Sequence, residues 1–438
     1  MFRSGFRKPD EAPQFTRQRQ PAFLTVYAPQ LYLREREALD AIAQQVPEGR
    51  GCEFLAAPGA AEAAAGSEFV LSLFNDPAQL DPLADAVLAA RRAAQDTVLI
   101  VAVTGAQLVA LGQWLQRRAD DGRLDGVRLM VGADVAAIAR ALPERLKKVT
   151  EGNVIRMPVA AEVENSAYLN FYVFSPELQA LVARVRGFAR NGITRACLLG
   201  GPGSGKTSLA YYYYLIRGRG QFVAVNLAAE NTGDKAAVKS LLCGHVTGAF
   251  PGAAARNGAF TTARDGVCFL DESHQISGAV MEVLMEALDS GQYMPFGASA
   301  KRQLECALLY ASNRSWTHLQ NIVNIDEFTR MGAAVLQVPE LSRREEDMIA
   351  VTAATLAKLA SRCTDWVAPT GLSTEAWKTL RDCRWHGNIR GLIRVLESAF
   401  VDNATGPASH LIQAPEIEQG ILRWEPKAHH SYQLYEAA

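Results

Sequence analysis

The chain has 438 residues, 49% hydrophobic and 21% charged, with a formal net charge of −1. This is ordinary globular composition, long enough for two or three domains. A balance so near neutrality excludes a global pull toward nucleic acid or anionic lipid, and no 18-residue apolar run exists, so no membrane span is expected.

Residues 1–22, rich in Arg, Gln and Pro, read as a disordered basic arm rather than a signal peptide. Between 23 and 148, apolar runs at 69–74, 97–103 and 127–131 alternate with helical patterns at 33–45, 78–94, 106–119 and 134–147. Continuous apolar strands between amphipathic helices predict a parallel sheet covered on both faces. From its position, this α/β domain is read as regulatory or sensing. Asp76, in F-N-D-P after a strand, stands without the paired acids of a phosphoacceptor site and is expected to cap a turn. Seven scattered cysteines (52, 197, 243, 268, 306, 363, 383) include no C-x-x-C pair. They predict neither a disulfide framework nor a zinc site, and a reducing, cytoplasmic setting. Cys197 and Cys268, inside apolar runs, are expected as buried small hydrophobes.

A linker at 149–174 gives way to a helix opened by Ser175 and Pro176. A second α/β block follows to 341, then a helical segment at 342–402 and a tail at 403–438, where Pro407, Pro415 and Pro426 are expected to interrupt any helix. The fold class is therefore α/β: a parallel-sheet α/β domain, then a P-loop α/β domain with a small helical lid.

The second block opens with A196-C-L-L-G-G-P-G-S-G-K-T-S-L-A210, an apolar strand running into G-x-x-x-x-G-K-T and then a helix. Gly200, Gly201, Pro202, Gly203, Ser204 and Gly205 form a loop whose backbone amides can wrap phosphate oxygens at a helix N-terminus. Lys206 is expected at the β- and γ-phosphates, Thr207 on Mg²⁺, and Ser208 in the same first turn. G266-V-C-F-L-D-E272 ends a second strand in two acids. Asp271 is expected to order the Mg²⁺ shell and Glu272 to polarise the attacking water. ATP and Mg²⁺ are the implied cofactors, and ATP hydrolysis the implied reaction.

With both elements in place, residues 175–401 resemble the AAA+ domain of bacterial sigma-54 activators, the enhancer-binding proteins. The likeness lies in Q221-F-V-A-V-N226, L241-L-C-G-H-V-T-G-A-F-P-G-A253, G258-A-F-T-T-A-R-D-G-V-C-F-L-D-E272, the G291-Q-Y-M-P-F-G297 hairpin, L308-L-Y-A-S-N-R314 and W385-H-G-N-I-R-G-L392. The resemblance implies that Asn226 restrains the catalytic Glu, that Asn313 senses the γ-phosphate and that Arg390 is the lid's nucleotide-sensing arginine. It also implies that Arg330 enters a neighbour's site as an arginine finger, so the chain would form a homo-oligomeric ring, usually a hexamer. Gly248, Ala249, Phe250, Pro251, Gly252 and Ala253 match the loop that touches the sigma factor, with Phe250 as an exposed apolar anchor.

The chain departs from the family at Asn324, where the first finger arginine stands, at Gly391, where a Glu stands, and at Pro251, where a Thr stands. Pro251 removes an N–H and a hydroxyl and stiffens the tip. Residues 403–438 offer no pair of helices with a basic face, so direct DNA reading is not expected. The implied function is an ATPase ring that remodels sigma-54 RNA polymerase. Two alternatives stand beside it: a sigma-independent remodeller or signal-responsive effector, as in defence or secretion systems, and an ATP-dependent scaffold with little hydrolysis.

Overall fold

The run Val98–Val103 is apolar at six consecutive positions and buried at all six, as a strand covered on both faces must be. The computed structural model describes residues 22–29, 31, 36–55, 66–120, 123–148, 154–157, 170–227, 235–273, 278–315, 317, 334–405 and 410–425. Of the basic arm expected at 1–22, residues 1–21 lie outside them.

In chain order the first part comprises β1 (Leu24–Tyr27), α1 (Arg36–Ala43), β2 (Cys52–Leu55), β3 (Phe69–Leu73), α2 (Asp81–Arg92), β4 (Val98–Val103), α3 (Leu108–Asp120), β5 (Val127–Val131) and α4 (Val135–Arg145). The sheet runs β2-β1-β3-β4-β5, parallel at every pairing. Two of its strands escape the sequence pattern. β1 is only four residues long, and β2 is half-buried at the sheet edge, so neither has a run of strong apolar character. Asp76 caps a short 3₁₀ turn by accepting from the Ala78 N–H at 2.9 Å.

β6 (Val154–Arg156) and β7 (Asn170–Tyr172) pair antiparallel. Next come α5 (Pro176–Arg190), β8 (Arg195–Leu199), α6 (Lys206–Arg217), β9 (Phe222–Asn226), α7 (Lys235–Cys243), β10 (Gly244–His245), β11 (Arg256–Asn257), α8 (Ala259–Thr262) and β12 (Val267–Asp271). After them stand α9 (Gly278–Ser290), β13 (Gln292–Tyr293), β14 (Arg302–Gln303), β15 (Ala307–Ser312) and β16 (Ala334–Gln337). The five-stranded sheet here runs β16-β8-β15-β12-β9 and is again parallel throughout. Cys197, Cys243, Cys268 and Cys306 are free and buried, and burial pushes the Cys197 thiol up to about 12. A thiol so desolvated is an inert packing group.

The remaining elements are α10 (Glu345–Ala360), β17 (Gly371–Leu372), α11 (Thr374–Asp382), α12 (Asn388–Thr405), β18 (Leu411–Ile412) and α13 (Ala414–Trp424). α13 falls in the stretch expected to be broken by prolines. Pro415 sits in its first turn, where a missing N–H costs nothing, so this proline starts a helix instead of interrupting one. β17 pairs with β18, and Ile417 of α13 is fully buried.

The described residues up to Gln179, with Arg344–Trp385 and Gly391–Glu425, form one compact unit; Ala180–Arg343 with His386–Arg390 form the other. Within the first, α10 is unlike a surface helix. Eleven of its 16 residues are buried, including Glu346 and Asp347 at one end, whose partners come from far away in sequence. Asp347 accepts from the Phe174 and Ser175 N–H groups at 2.6 and 3.1 Å, and its own N–H donates to the Ser175 hydroxyl at 3.3 Å.

Candidate functional site

In the second unit the chain leaves β8 between β16 and β15, both later in sequence. This is the kind of crevice, beyond the strand C-termini at a switch in strand order, where open α/β sheets bind ligands. The glycine-rich loop begins there. The Gly200 N–H donates to Ser312 O at 3.1 Å. Gly203 and Gly205 have φ of +68° and +106°, values that only glycine adopts without strain. Gly205 caps α6 with no side-chain hydrogen bond. The first amides of α6 are therefore left to an external acceptor, and an anion is the group that suits them.

The Lys206 ammonium donates to the loop's own carbonyls, Gly200 O at 2.8 Å and Gly201 O at 3.0 Å. Burial pushes its pKa down to about 8; Asp271 and Glu272 pull it up and Arg390 pushes it down. One buried lysine thus feels both strand-end acids and the lid arginine. A cation so poorly solvated, parked on weak acceptors, fits a polyphosphate well.

Asp271 ends β12, and its register partner on β9 is Asn226. The Asp271 carboxylate accepts from the Glu272 N–H at 2.8 Å, and Glu272 adopts φ +54°, a costly conformation for a residue with a Cβ. This kink turns the backbone at the strand end. Ser273, buried beyond it, donates to Ala311 O at 2.9 Å. Asn313 follows β15, and its Oδ1 is buried with no hydrogen-bond partner among the described residues. Thr207 and Arg390 are exposed, while Ser204 is buried and Ser208 half-buried.

The structure therefore brings together the loop 200–208, Asp271, Glu272 and Arg390, and sets Asn226 and Asn313 at the ends of the two strands that flank β12. Arg330 and Asn324 lie outside the described residues. One residue of the site escaped sequence reasoning. Asn388, fully buried with φ +47°, donates to Pro202 O at 3.1 Å and accepts from the Leu341 N–H at 2.9 Å. Beside it the Ile389 N–H donates to Gly203 O at 3.2 Å. A Cβ on Gly203 would lie 2.6 Å from Gly387 O, and one on Gly201 2.7 Å from Asn388 Nδ2. These glycines thus admit the 386–390 segment onto the loop. The signal was the G-N of W385-H-G-N.

The loop at 248–253 follows β10. Phe250 O accepts from the Ala253 N–H at 2.9 Å, closing a four-residue turn with Pro251 second and Gly252 third, at φ +79°. That is the sequence preference of a type II turn, which has no use for the N–H that proline lacks. Gly248 N–H donates to Ala253 O at 3.0 Å, and Val246 N–H to Phe296 O at 3.1 Å, so the loop is laced to the hairpin after β13. Phe250 is 44% exposed, with its ring centroid 4.9 Å from that of His245.

Two family descriptions match the chain: "Sigma-54 interaction domain" over residues 172–336 and "AAA+ ATPase lid domain" over 342–432. The chain is 30% identical over 311 residues to Regulatory protein LuxO of Vibrio cholerae, covering 68% of this chain and 67% of that one. It is 31% identical over 236 residues to the Nif-specific regulatory protein of Herbaspirillum seropedicae, covering 52% of this chain and 42% of that one. It therefore spans less than half of the latter's length. Among solved structures, NtrX from Brucella abortus in complex with ATP superposes with a TM-score of 0.50 at 16% identity, over 91% of this chain and 86% of that one, a likeness of fold.

Proposed function

Because the chain belongs to the family of sigma-54 activators, whose shared part is an AAA+ domain with its lid, we propose that it hydrolyses ATP in an oligomeric ring and uses the cycle to remodel sigma-54 RNA polymerase. The observation that carries this reading is the Lys206 ammonium, resting on two loop carbonyls within reach of Asp271, Glu272 and Arg390.

In this reading the loop amides and Lys206 grip the β- and γ-phosphates, and Lys206 exchanges its carbonyl acceptors for phosphate oxygens. Thr207 and Asp271 would hold Mg²⁺, which would supply charge neutralisation at the phosphates. Glu272 holds the attacking water and takes its proton as the water oxygen bonds to the γ-phosphorus and the bond to the β-phosphate oxygen breaks, leaving ADP and phosphate. Asn226 restrains Glu272 between cycles. Asn313 and Arg390 report the γ-phosphate to the strand end and the lid. Arg330 of a neighbouring copy completes the charge stabilisation, which requires a ring, with a hexamer the expected size. The setting is cytoplasmic.

The loop tip is the output. A half-exposed aromatic on a closed turn is a ready contact anchor. One observation favours a second reading: the Pro251 turn offers neither hydroxyl nor N–H at that position, so a protein partner other than sigma-54, met through apolar contact alone, is the alternative.

Purified sigma-54 mixed with the protein and ADP plus aluminium fluoride, which mimics the transferring phosphoryl group, tests the proposal. A trapped complex that Phe250→Ala abolishes is expected. Intact ATPase and assembly without any complex would move the function to the alternative partner.

A further inference from the structure

The α/β domain at the N-terminus has two features that bear on how it can act. The first is at its sheet's C-terminal edge, where a strand order of β2-β1-β3-β4-β5 places the ligand crevice of a doubly wound sheet. Here two side-chain amides tie the strand ends together. Asn75, buried, donates to Tyr27 O and Ser72 Oγ, both at 2.8 Å. Gln107 donates to Phe74 O and Asn75 O at 3.3 and 3.2 Å.

The second feature is the opposite of a loosely tethered sensor. The domain's β5, α3 and α4 hold lid helix α10 by buried charge and close backbone approach. Arg128 on β5 pairs with Glu346 through two of its guanidinium nitrogens, Nε and Nη2; the two side chains are 1% and 2% exposed. The Leu129 N–H donates to the same carboxylate at 3.2 Å. Arg145 on α4 pairs with Glu345 at 2.6 Å. On α3, Gly112 faces Ala353 so closely that a Cβ would sit 2.0 Å from the Ala353 carbonyl oxygen. Further along, the Val109 N–H donates to Thr370 O at 3.1 Å.

A surface on which a partner docks and leaves keeps polar side chains that water can satisfy. Separating these elements would strip both arginines, Arg128 and Arg145 at 3.5 Å, from a Glu346 carboxylate 2% exposed and uncover a helix that is apolar on most sides. We propose that the α/β domain is a permanent half of the lid's core, so that a signal reaching it acts by displacing α10 and never by releasing the domain. This deepens the proposed function by naming its mode of regulation, and it rests on that reading only for the activity readout.

The test uses the full chain in two arms. In the first, Val109→Cys and Thr370→Cys, whose backbones are one hydrogen bond apart, are joined as a disulfide in a background with Cys52, Cys363 and Cys383 changed to serine. ATPase of the oxidised protein within about threefold of the reduced protein is expected; a larger loss, restored by reductant, shows that the domain must detach and overturns the proposal. In the second, amide hydrogen exchange over 348–357 is compared between the wild type and Glu346→Gln. Exchange faster by about threefold or more is expected, with β8, β12 and β15 unchanged; equal protection shows that docking does not hold the lid helix and overturns the proposal. Exchange needs no turnover, so a chain without ATPase would sink the proposed function and leave this inference decided by the second arm.

Discussion

Asn388 joins Pro202 to Leu341: its amide nitrogen lies 3.1 Å from the Pro202 carbonyl oxygen and its oxygen 2.9 Å from the Leu341 nitrogen. One buried side chain thus fixes the glycine loop against the chain that leaves β16. Asn388→Ala strands the Leu341 N–H and the Pro202 carbonyl, and a buried unsatisfied group costs about 1–3 kcal/mol. A lowered melting temperature is expected, with nucleotide affinity weakened about tenfold or more by the same arithmetic. Calorimetry and nucleotide titration on one preparation check both.

Lys206 sets a pH dependence. Burial holds it down to about 8 in the free protein, and the ammonium is the form that grips phosphate. As pH rises through 8 the free protein loses that proton, so binding must take one up and affinity falls. Below 8 the ammonium is already present and this group adds no slope. Nucleotide dissociation constants should therefore be flat for this group near neutrality and weaken by up to about tenfold per unit above 8. Lys206→Arg, always charged, should remove the slope. A wild-type constant that stays level to pH 9.5 would contradict the assignment.

The glycine loop and the acids were legible because each is contiguous: an apolar strand, then G200-G-P-G-S-G-K-T207, and an apolar strand, then D271-E272. Asn388 was not, since its partners lie 186 and 47 positions away. Glu345, Glu346 and Asp347 look like the ordinary acidic first turn of a helix. Only the fold shows that two of them meet Arg145 and Arg128, 200 and 218 positions away. Pro415 misled in the other direction, because a proline marks a helix start as readily as a break.

Pro251 should act through preorganisation. Its fixed φ suits the second position of the turn closed by Phe250 and Ala253. Pro251→Ala keeps the apolar tip and loosens it, so partner affinity should fall by about 2- to 5-fold, the equivalent of roughly 0.4–1 kcal/mol. ATPase should be unchanged. Phe250→Ala should cost the partner far more, with the same unchanged ATPase. Equal partner binding by all three proteins would show that this tip is not the contact.

Arg128 should be worth more than a surface charge. Replacing it with alanine leaves the buried Glu346 with Arg145, 3.5 Å away, as its remaining ion-pair partner, so the loss should exceed about 1 kcal/mol and stay below the about 3–5 kcal/mol of a buried charge left wholly unpaired. Urea unfolding should show this loss, while Arg264→Ala, whose partner Glu305 is 42% exposed, should change stability by under about 1 kcal/mol. A comparable loss in both variants would mean that the pair is not buried in solution.

Steady-state ATPase of the wild type beside Glu272→Gln and Lys206→Ala tests the central claim most directly, that the 200–208 loop and the 271–272 acids form one hydrolytic site. Glu272→Gln should bind nucleotide and turn over about 10²- to 10⁴-fold more slowly, and Lys206→Ala should lose binding as well. Three indistinguishable rates would contradict the account.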